Sequence, residues 1–146
     1  MDSRTRNVLG HTSAFCLLHS AFLIAMFDQI LRDLVQSTPG AIGALFLDWE
    51  GETVGMVGER PFDADEHDLK IVGAYQGIFL TQLRELCARV DAGVPHRFKI
   101  DFEAARVLSY DLKDGYYVVL VVDASANEAV AWKQLEGCRA KLILEL

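Results

Sequence analysis

The chain has 146 residues, the size of one domain with a short extension. Apolar residues make up 51% of it and charged residues 24%, a composition that excludes a disordered tail or a fibrous repeat. There are 14 Lys and Arg residues against 21 Asp and Glu, which gives a formal net charge of −7. This charge argues against nucleic acid or an anionic membrane as a partner, because both require dense cationic patches.

The first element along the chain is an apolar segment. A short polar stretch with two arginines precedes Ala14 to Phe27, which is almost entirely apolar. This run is shorter than the roughly 20 apolar residues of a membrane span. It has the outline of a signal peptide, but no small-x-small cleavage site follows it. We therefore divide the chain into an extension, residues 1–25, and a domain, residues 26–146. The extension is interpreted as an additional helix or as sequence upstream of a natural start at Met26, with secretion or membrane anchoring as the alternative.

A helix and two strands open the domain. From Phe27 to Val35, apolar residues recur at the i, i+3, i+4 spacing of an amphipathic helix. Thr38-Pro39-Gly40 ends it, because the residue before proline disfavours helix. Ala41 to Leu47 is continuously apolar, which predicts a strand buried on both faces. Thr53 to Val57 predicts a second strand, and Gly55 within it indicates an edge position or a close backbone approach.

A long helix follows a second polar stretch. The acidic cluster from Asp63 to Asp68 is typical of a first helical turn, where carboxylates favour the unpaired amides. The apolar residues that follow at helical spacing are Val72, Tyr75, Phe79, Leu83, Leu86 and Val90. Ile71, Ala74, Ile78 and Cys87 widen this stripe beyond what one contact requires. We expect the helix to contact a sheet on one side and another element or subunit on the other.

Three strands and a helix complete the chain. In Arg97 to Glu103, apolar Phe98, Ile100 and Phe102 alternate with polar residues, which predicts a half-buried strand with an edge position. The other predicted strands are Arg106 to Leu112 and Tyr116 to Val122, joined by a hairpin at Lys113-Asp114-Gly115, and the last helix carries Val130 to Leu146. Tyr116 to Val122 is the most strand-like run and is predicted to be central. Strands grouped in this way predict an α+β fold with helices on the faces of an antiparallel sheet.

Recognised catalytic and metal motifs are absent from the sequence. It contains no Gly-x-x-x-x-Gly-Lys, no Gly-x-Ser-x-Gly and no His-Glu-x-x-His. The acidic cluster before the long helix lacks the glycine and distal glutamate of a calcium loop. The three cysteines, Cys16, Cys87 and Cys138, form no CxxC pair, which predicts a reduced, cytoplasmic setting. We expect a protein that is not an enzyme, without catalytic residues, cofactor or metal.

Several sequence pieces, in their order, resemble one family. They are the end of the first helix, Thr38-Pro39-Gly40-Ala41, then Ile42-Gly43-Ala44-Leu45-Phe46-Leu47-Asp48, Glu50-Gly51-Glu52-Thr53-Val54, the long helix, and Leu112-Lys113-Asp114-Gly115-Tyr116-Tyr117-Val118-Val119-Leu120. Together they cover residues 27–144 and resemble the Roadblock (dynein light-chain) family. The extension before Phe27 is a departure from the family pattern.

The resemblance implies both a fold and a function. The fold is a profilin-like α/β sandwich with a central five-stranded antiparallel sheet, in the order helix-strand-strand-helix-strand-strand-strand-helix. Family members are mostly non-enzymatic dimeric platforms, and bacterial members regulate Ras-like small GTPases. The resemblance therefore implies a homodimer that binds a small GTPase. From the charge balance, we expect neither nucleic acid nor a membrane as a partner. The alternatives are a structural adaptor without GTPase contact and a small-molecule sensor.

The resemblance also implies where two copies meet. The third strands pair edge to edge and the long helices pack together, on the same two surfaces that carry surplus apolar residues. The predicted dimer or partner interface comprises Val72, Tyr75, Phe79, Leu83, Leu86, Phe98, Ile100 and Phe102.

Overall fold

The computed structural model describes residues 9–58 and 66–146. The elements in chain order are α1 (Leu9–Ser37), β1 (Ala41–Leu47), β2 (Thr53–Gly58), α2 (Glu66–Arg89), β3 (Arg97–Asp101), β4 (Ala105–Asp111), β5 (Tyr117–Asp123) and α3 (Glu128–Glu145). The predicted order of three helices and five strands is confirmed. Of the acidic cluster predicted to open the long helix, Asp63 and Asp65 lie outside the described residues, and α2 begins at Glu66.

The five strands form one antiparallel sheet in the order β2-β1-β5-β4-β3. The strand β5 is central, as the run of valines from Val118 to Val122 predicts, and it is buried along almost its whole length. The strand β1 beside it is buried on both faces, also as predicted. The strands β2 and β3 form the two edges.

The predicted strand bounds are correct to within two residues. The strand β3 ends at Asp101, two residues before the predicted end at Glu103. It ends there because the amide of Phe102 already donates to the carbonyl of Ala105, which closes the turn into β4. The predicted hairpin before β5 is present, and Asp114 and Gly115 both adopt the positive φ that such a turn requires.

Each face of the sheet has its own apolar cluster. Helices α1 and α3 cover one face, where their buried residues meet side chains such as Phe46, Leu108 and Leu120. Helix α2 covers the other face, where Leu80 packs against side chains that include Leu45 and Val119. Alternate residues of the same strands belong to the two clusters, because successive side chains of a strand point to opposite faces.

The edge strand β2 approaches α1 closely. A Cβ at Gly55 would lie 3.1 Å from Asp28 Oδ1 and 3.3 Å from Leu31 Cδ1. The glycine in this strand therefore allows the close approach that its sequence position indicates.

Helix α1 begins well before the predicted domain helix. The predicted helix starts at Phe27, whereas α1 starts at Leu9 and runs without a break through the predicted boundary at residue 25. Its second half belongs to the core through Phe27, Leu31 and Leu34, which are all buried. Its first half is continuous with that core helix, although the side chains from Ala14 to Phe22 are all exposed.

Candidate interaction surface

The outer edge of β3 carries unpaired main-chain groups. The amide of Phe102 donates to the carbonyl of Ala105, and the amide of Asp111 donates to the carbonyl of His96. In an antiparallel ladder, such hydrogen-bonded pairs alternate with pairs whose main-chain groups point away from each other. With Lys99 opposite Leu108 in the register, the N–H and C=O groups of Lys99 point away from β4. The neighbouring odd-numbered residues of β3 share this orientation. No strand of the described residues pairs with this edge.

Charged residues occupy the face of β3 that turns towards α3. Lys99 Nζ lies 2.8 Å from Glu128 Oε2 and 3.1 Å from Asp101 Oδ2. Arg106 Nε, on β4, lies 2.7 Å from Asp101 Oδ1. The hydrogen bond from Lys99 lowers the pKa of Glu128 below its usual value, and the same bond raises the pKa of Lys99. All four side chains are solvent-accessible, so their pairing orients the strand more than it stabilises the fold.

Apolar residues occupy the opposite face of β3, on the side of α2. Phe98 is half-buried and packs against the cluster beneath α2. Ile100 is also half-buried, and Phe102, just beyond the strand, is 55% exposed. Phe102 also borders an apolar groove of about 250 Å³ that Leu69 and Val72 line from the side of α2. The edge strand and the helix therefore form one apolar surface that is open to solvent.

Helix α2 is apolar on its outward side as well as on its buried side. Leu80 is almost completely buried against the sheet. The exposed large apolar side chains along the helix are Ile71, Tyr75, Ile78 and Leu86, between 41% and 54% exposed, and Val90 follows the helix end at 63%. Tyr75 and Phe79 lie next to each other along this side, with ring centroids 6.3 Å apart and the rings tilted by 40°. Contiguous exposed apolar area of this kind marks an interaction surface.

Polar contacts fix α2 in position on the sheet. The buried Tyr117 hydroxyl donates to the carbonyl of Gly73 at 3.1 Å, and burial raises the pKa of Tyr117 to about 12. The buried Ser109 hydroxyl donates to Gln76 Oε1 at 3.1 Å. Arg84 forms an ion pair with Asp111 at the end of β4. With these contacts spread along the helix, its outward apolar side keeps one orientation.

The predicted interface residues all lie at or near this open surface, and none is fully buried. Tyr75, Leu86 and Phe102 are exposed, and the half-buried members are Val72, Phe79, Leu83, Phe98 and Ile100. Val72 and Phe98 also pack against the cluster beneath α2. Whether these residues meet a second copy stays a prediction.

Two exposed residues of α2, Ile71 and Ile78, lie outside the predicted interface set. Their signal in the sequence is the spacing to Tyr75, four residues before it and three after it.

Chemistry-bearing side chains do not converge in the described part of the chain. Among residues 9–58 and 66–146, no group of three or more His, Cys, Asp or Glu side chains could hold a metal ion. Cys138 lies on the buried side of α3, where burial raises the pKa of its thiol to about 12. A thiol of that pKa is a poor nucleophile at neutral pH.

Comparison with known proteins matches the fold rather than the sequence. No family model and no curated protein matches the chain. Solved structures do match, among them the Roadblock/LC7 domain from Streptomyces avermitilis, with a TM-score of 0.68 and 17% identity over 79% of this chain and 92% of that one. The chain has the Roadblock/LC7 fold.

Two further structures with the same fold carry functional names. The gliding protein MglB from Thermus thermophilus matches with a TM-score of 0.74 and 14% identity over 84% of this chain and 90% of that one. MglC from Myxococcus xanthus matches with a TM-score of 0.59 and 20% identity over 82% and 98%. The Roadblock/LC7 fold predicted from the sequence is therefore confirmed.

Proposed function

We propose that this protein is a regulatory or scaffold subunit that forms a homodimer and binds a Ras-like small GTPase. The observation that carries the proposal is the unpaired edge of β3 beside the outward apolar side of α2. A second copy offers the same two surfaces, so a two-fold axis lets each complement the other. The sequence resemblance to the Roadblock family supports the GTPase as the partner, and a GTPase partner requires the domain to face the cytoplasm.

Pairing through β3 makes use of main-chain groups that the chain does not itself satisfy. Two β3 strands side by side would exchange hydrogen bonds through residues such as Lys99 and join the two sheets into one. The apolar side of β3, with Ile100, and the outward side of α2, with Tyr75 and Phe79, would then be covered together. An unpaired edge presents N–H and C=O groups that can pair with another chain. The charges of Lys99 and Asp101 lie on the face towards α3, and the other face of this edge is apolar.

The dimer is tested at a single position of the edge. Lys99→Pro removes an outward N–H without removing a hydrogen bond to β4, and proline is tolerated on edge strands. Lys99→Ala is the matched control, because it removes the same ion pair with Glu128 and keeps the N–H. We expect light scattering to give twice the chain mass of 16.2 kDa for the wild type and Lys99→Ala, and a single-chain mass for Lys99→Pro. Equal masses for all three proteins would contradict pairing through β3.

The helix contribution is tested separately. Phe79→Glu places an unpaired charge in the predicted interface, where its burial would be costly. Leu144→Glu, on α3 at 82% exposure, is the control for an added charge on an exposed apolar position. Dissociation of Phe79→Glu alone, with an unchanged circular dichroism spectrum, supports the dimer.

The GTPase is tested by affinity capture with the wild-type dimer. Lysate of the native organism is divided between a non-hydrolysable GTP analogue and GDP, and the retained proteins are identified by mass spectrometry. A small GTPase retained in one nucleotide state supports the proposal. Large proteins retained equally in both states, without a GTPase, would favour the structural adaptor instead.

A further inference from the structure

The function proposed above does not involve the exposed first half of α1. From Asn7 to Phe27 the sequence contains no Asp, Glu, Lys or Arg. The helix holds this run in one continuous element from Leu9 onwards. Phe15, Leu17, Leu18 and Phe22 are each between 68% and 73% exposed. Exposing so much apolar surface to water is unfavourable, at about 25 cal/mol per Å².

The apolar residues surround the helix rather than forming one stripe. Phe15 and Ile24 are nine residues apart, which at 3.6 residues per turn places them about 180° apart on opposite sides. Both are exposed, Phe15 at 73% and Ile24 at 49%. A protein groove or a second helix covers one side of a helix and would leave the other in water. A helix that is apolar all round is typical of a membrane environment.

The length of the helix also fits lipid. The stretch Ala14–Ser37 is long and apolar enough to cross a membrane by length and composition, and only 11% of its most apolar window is buried. Its second half cannot leave the domain, because Phe27, Leu31 and Leu34 belong to the core. The part from Leu9 to Ala25 precedes these core residues and contacts the core cluster through Leu23, near its end. At 1.5 Å per residue this part is about 25 Å long. The hydrocarbon core of a bilayer is about 30 Å thick.

We propose that the first half of α1, Leu9–Ala25, inserts into the hydrocarbon interior of a lipid bilayer and anchors the domain at the membrane surface. The length argument against a membrane span counted only the run from Ala14 to Phe27, and the argument from net charge applies to anionic lipid. The helix adds a turn before that run. Lipid covers Phe15 and Ile24 at the same time, whereas a single groove or a single partner helix covers only one of them.

Flotation of the full chain with vesicles tests the anchor. We expect the wild type to float with phosphatidylcholine vesicles, with or without phosphatidylglycerol, because the segment contains no Asp, Glu, Lys or Arg. Phe15→Glu combined with Leu18→Glu is expected to lower the partition coefficient at least about tenfold, since charged residues are costly in hydrocarbon. Both positions are about 70% exposed, so the folded domain does not depend on them. Leu144→Glu, an exposed apolar position on α3, is the matched control and is expected to float like the wild type.

Other results would overturn the anchor. One is a wild type that stays at the bottom with both kinds of vesicle, and another is a double variant that floats equally well. A double variant that halves the mass in solution, while Lys99→Pro does not, would assign the segment to a second copy. Amino-terminal sequencing of the protein from cells supports the anchor if residues 9–25 are retained, and assigns a secretion signal if they are removed.

The side of the membrane on which the domain lies distinguishes the membrane anchor from the proposed GTPase binding. Arg4 and Arg6 precede the apolar run, and arginines beside a spanning helix are retained in the cytoplasm. A helix that crosses the whole bilayer would then place the domain on the opposite side, away from any cytoplasmic GTPase. Protease added to the outer side of an intact cytoplasmic membrane digests the domain in that case and leaves it intact if the helix enters from the cytoplasmic side. The first result retains the anchor and overturns the GTPase proposal, whereas the second supports both.

Discussion

Helices α2 and α3 cover opposite faces of the same sheet, but only α3 resembles an ordinary surface helix. Along α3, Ala131, Leu135, Cys138 and Leu142 are buried, and Leu144 is its one exposed large apolar side chain. Along α2, the buried residue Leu80 is accompanied by four exposed large apolar side chains. Burying the sheet requires one apolar side of a helix. The second apolar side of α2 is therefore available for a partner. Helix α3 also covers a face of the sheet, but it has only one apolar side.

The difference between α3 and the outward side of α2 is expected to be largest when one leucine is truncated in each helix. Leu135 is fully buried, so Leu135→Ala leaves a cavity and is expected to lower the free energy of unfolding by about 2–5 kcal/mol. Leu86 is 54% exposed, and we expect Leu86→Ala to change the unfolding of the isolated subunit by less than about 0.5 kcal/mol. Urea titrations at low protein concentration measure both values. A large loss for Leu86→Ala under these conditions would show that the outward side of α2 supports the fold itself.

The contact between α2 and the sheet gives a second prediction, based on pH. The pKa of Tyr117 is raised to about 12 from its ordinary value of 10.0, so the folded state keeps its proton where the unfolded state loses it. Stability from this group is complete below pH 10 and is lost as the pH rises towards 12. Tyr117→Phe loses the hydrogen bond to Gly73, about 1 kcal/mol, but does not have this pH dependence.

We therefore expect the wild type to be more stable than Tyr117→Phe at pH 8. The difference is expected to shrink above pH 10 and to reverse by pH 12, where a shift of two pKa units corresponds to roughly 2–3 kcal/mol. Thermal unfolding of both proteins across this pH range measures the difference in their stability. The contributions of the other titrating groups are the same in both proteins and cancel in this difference. A constant difference from pH 8 to pH 12 would contradict a buried, protonated Tyr117.

The smallest expected effects come from one glycine in each helix. A Cβ at Gly77 would lie 2.9 Å from Tyr117 Cζ, whereas a Cβ at Gly137 on α3 meets nothing within 4 Å. We expect Gly77→Ala to lower the stability by about 1–2 kcal/mol, because overpacking exceeds the gain in helix propensity. Gly137→Ala is expected to raise it by up to about 1 kcal/mol. Melting temperatures that shift in the same direction for both variants would show that α2 is not held close to the sheet.

Local patterns in the sequence predict most of the fold. Three elements could be predicted from residues close together in the sequence. They are the valine-rich strand β5, the turn at Asp114-Gly115 and the strand β3 with its alternating Phe98 and Ile100. The order of strands in the sheet, β2-β1-β5-β4-β3, joins segments far apart in the chain, so no local pattern predicts it. The ion pair between Lys99 and Glu128 joins residues far apart in the chain, so no spacing could reveal it.

The spacing of apolar residues in the sequence could not determine two features of the structure, the orientation of α2 and the first half of α1. Helix α2 is apolar on two sides, and a period of 3.6 residues does not say which side meets the sheet. Val72, assigned to the interface, also packs against the cluster beneath α2 for this reason. The extension was interpreted as an additional helix, but its continuity with the helix from Phe27 was not predicted. The run before Phe27 is apolar at almost every position, which removes the amphipathic signal of a helix.

Helix α1 passes from its exposed half into its buried half with no glycine, proline or loop between Ala25 and Phe27. A flexible tether would let the domain turn freely, whereas an unbroken helix acts as a stiff rod. Whatever holds the first half therefore also sets the tilt and height of the sheet. In a dimer with two such rods, the β3 edges could meet only at angles that both rods allow, so the direction of the rods would select among possible pairings.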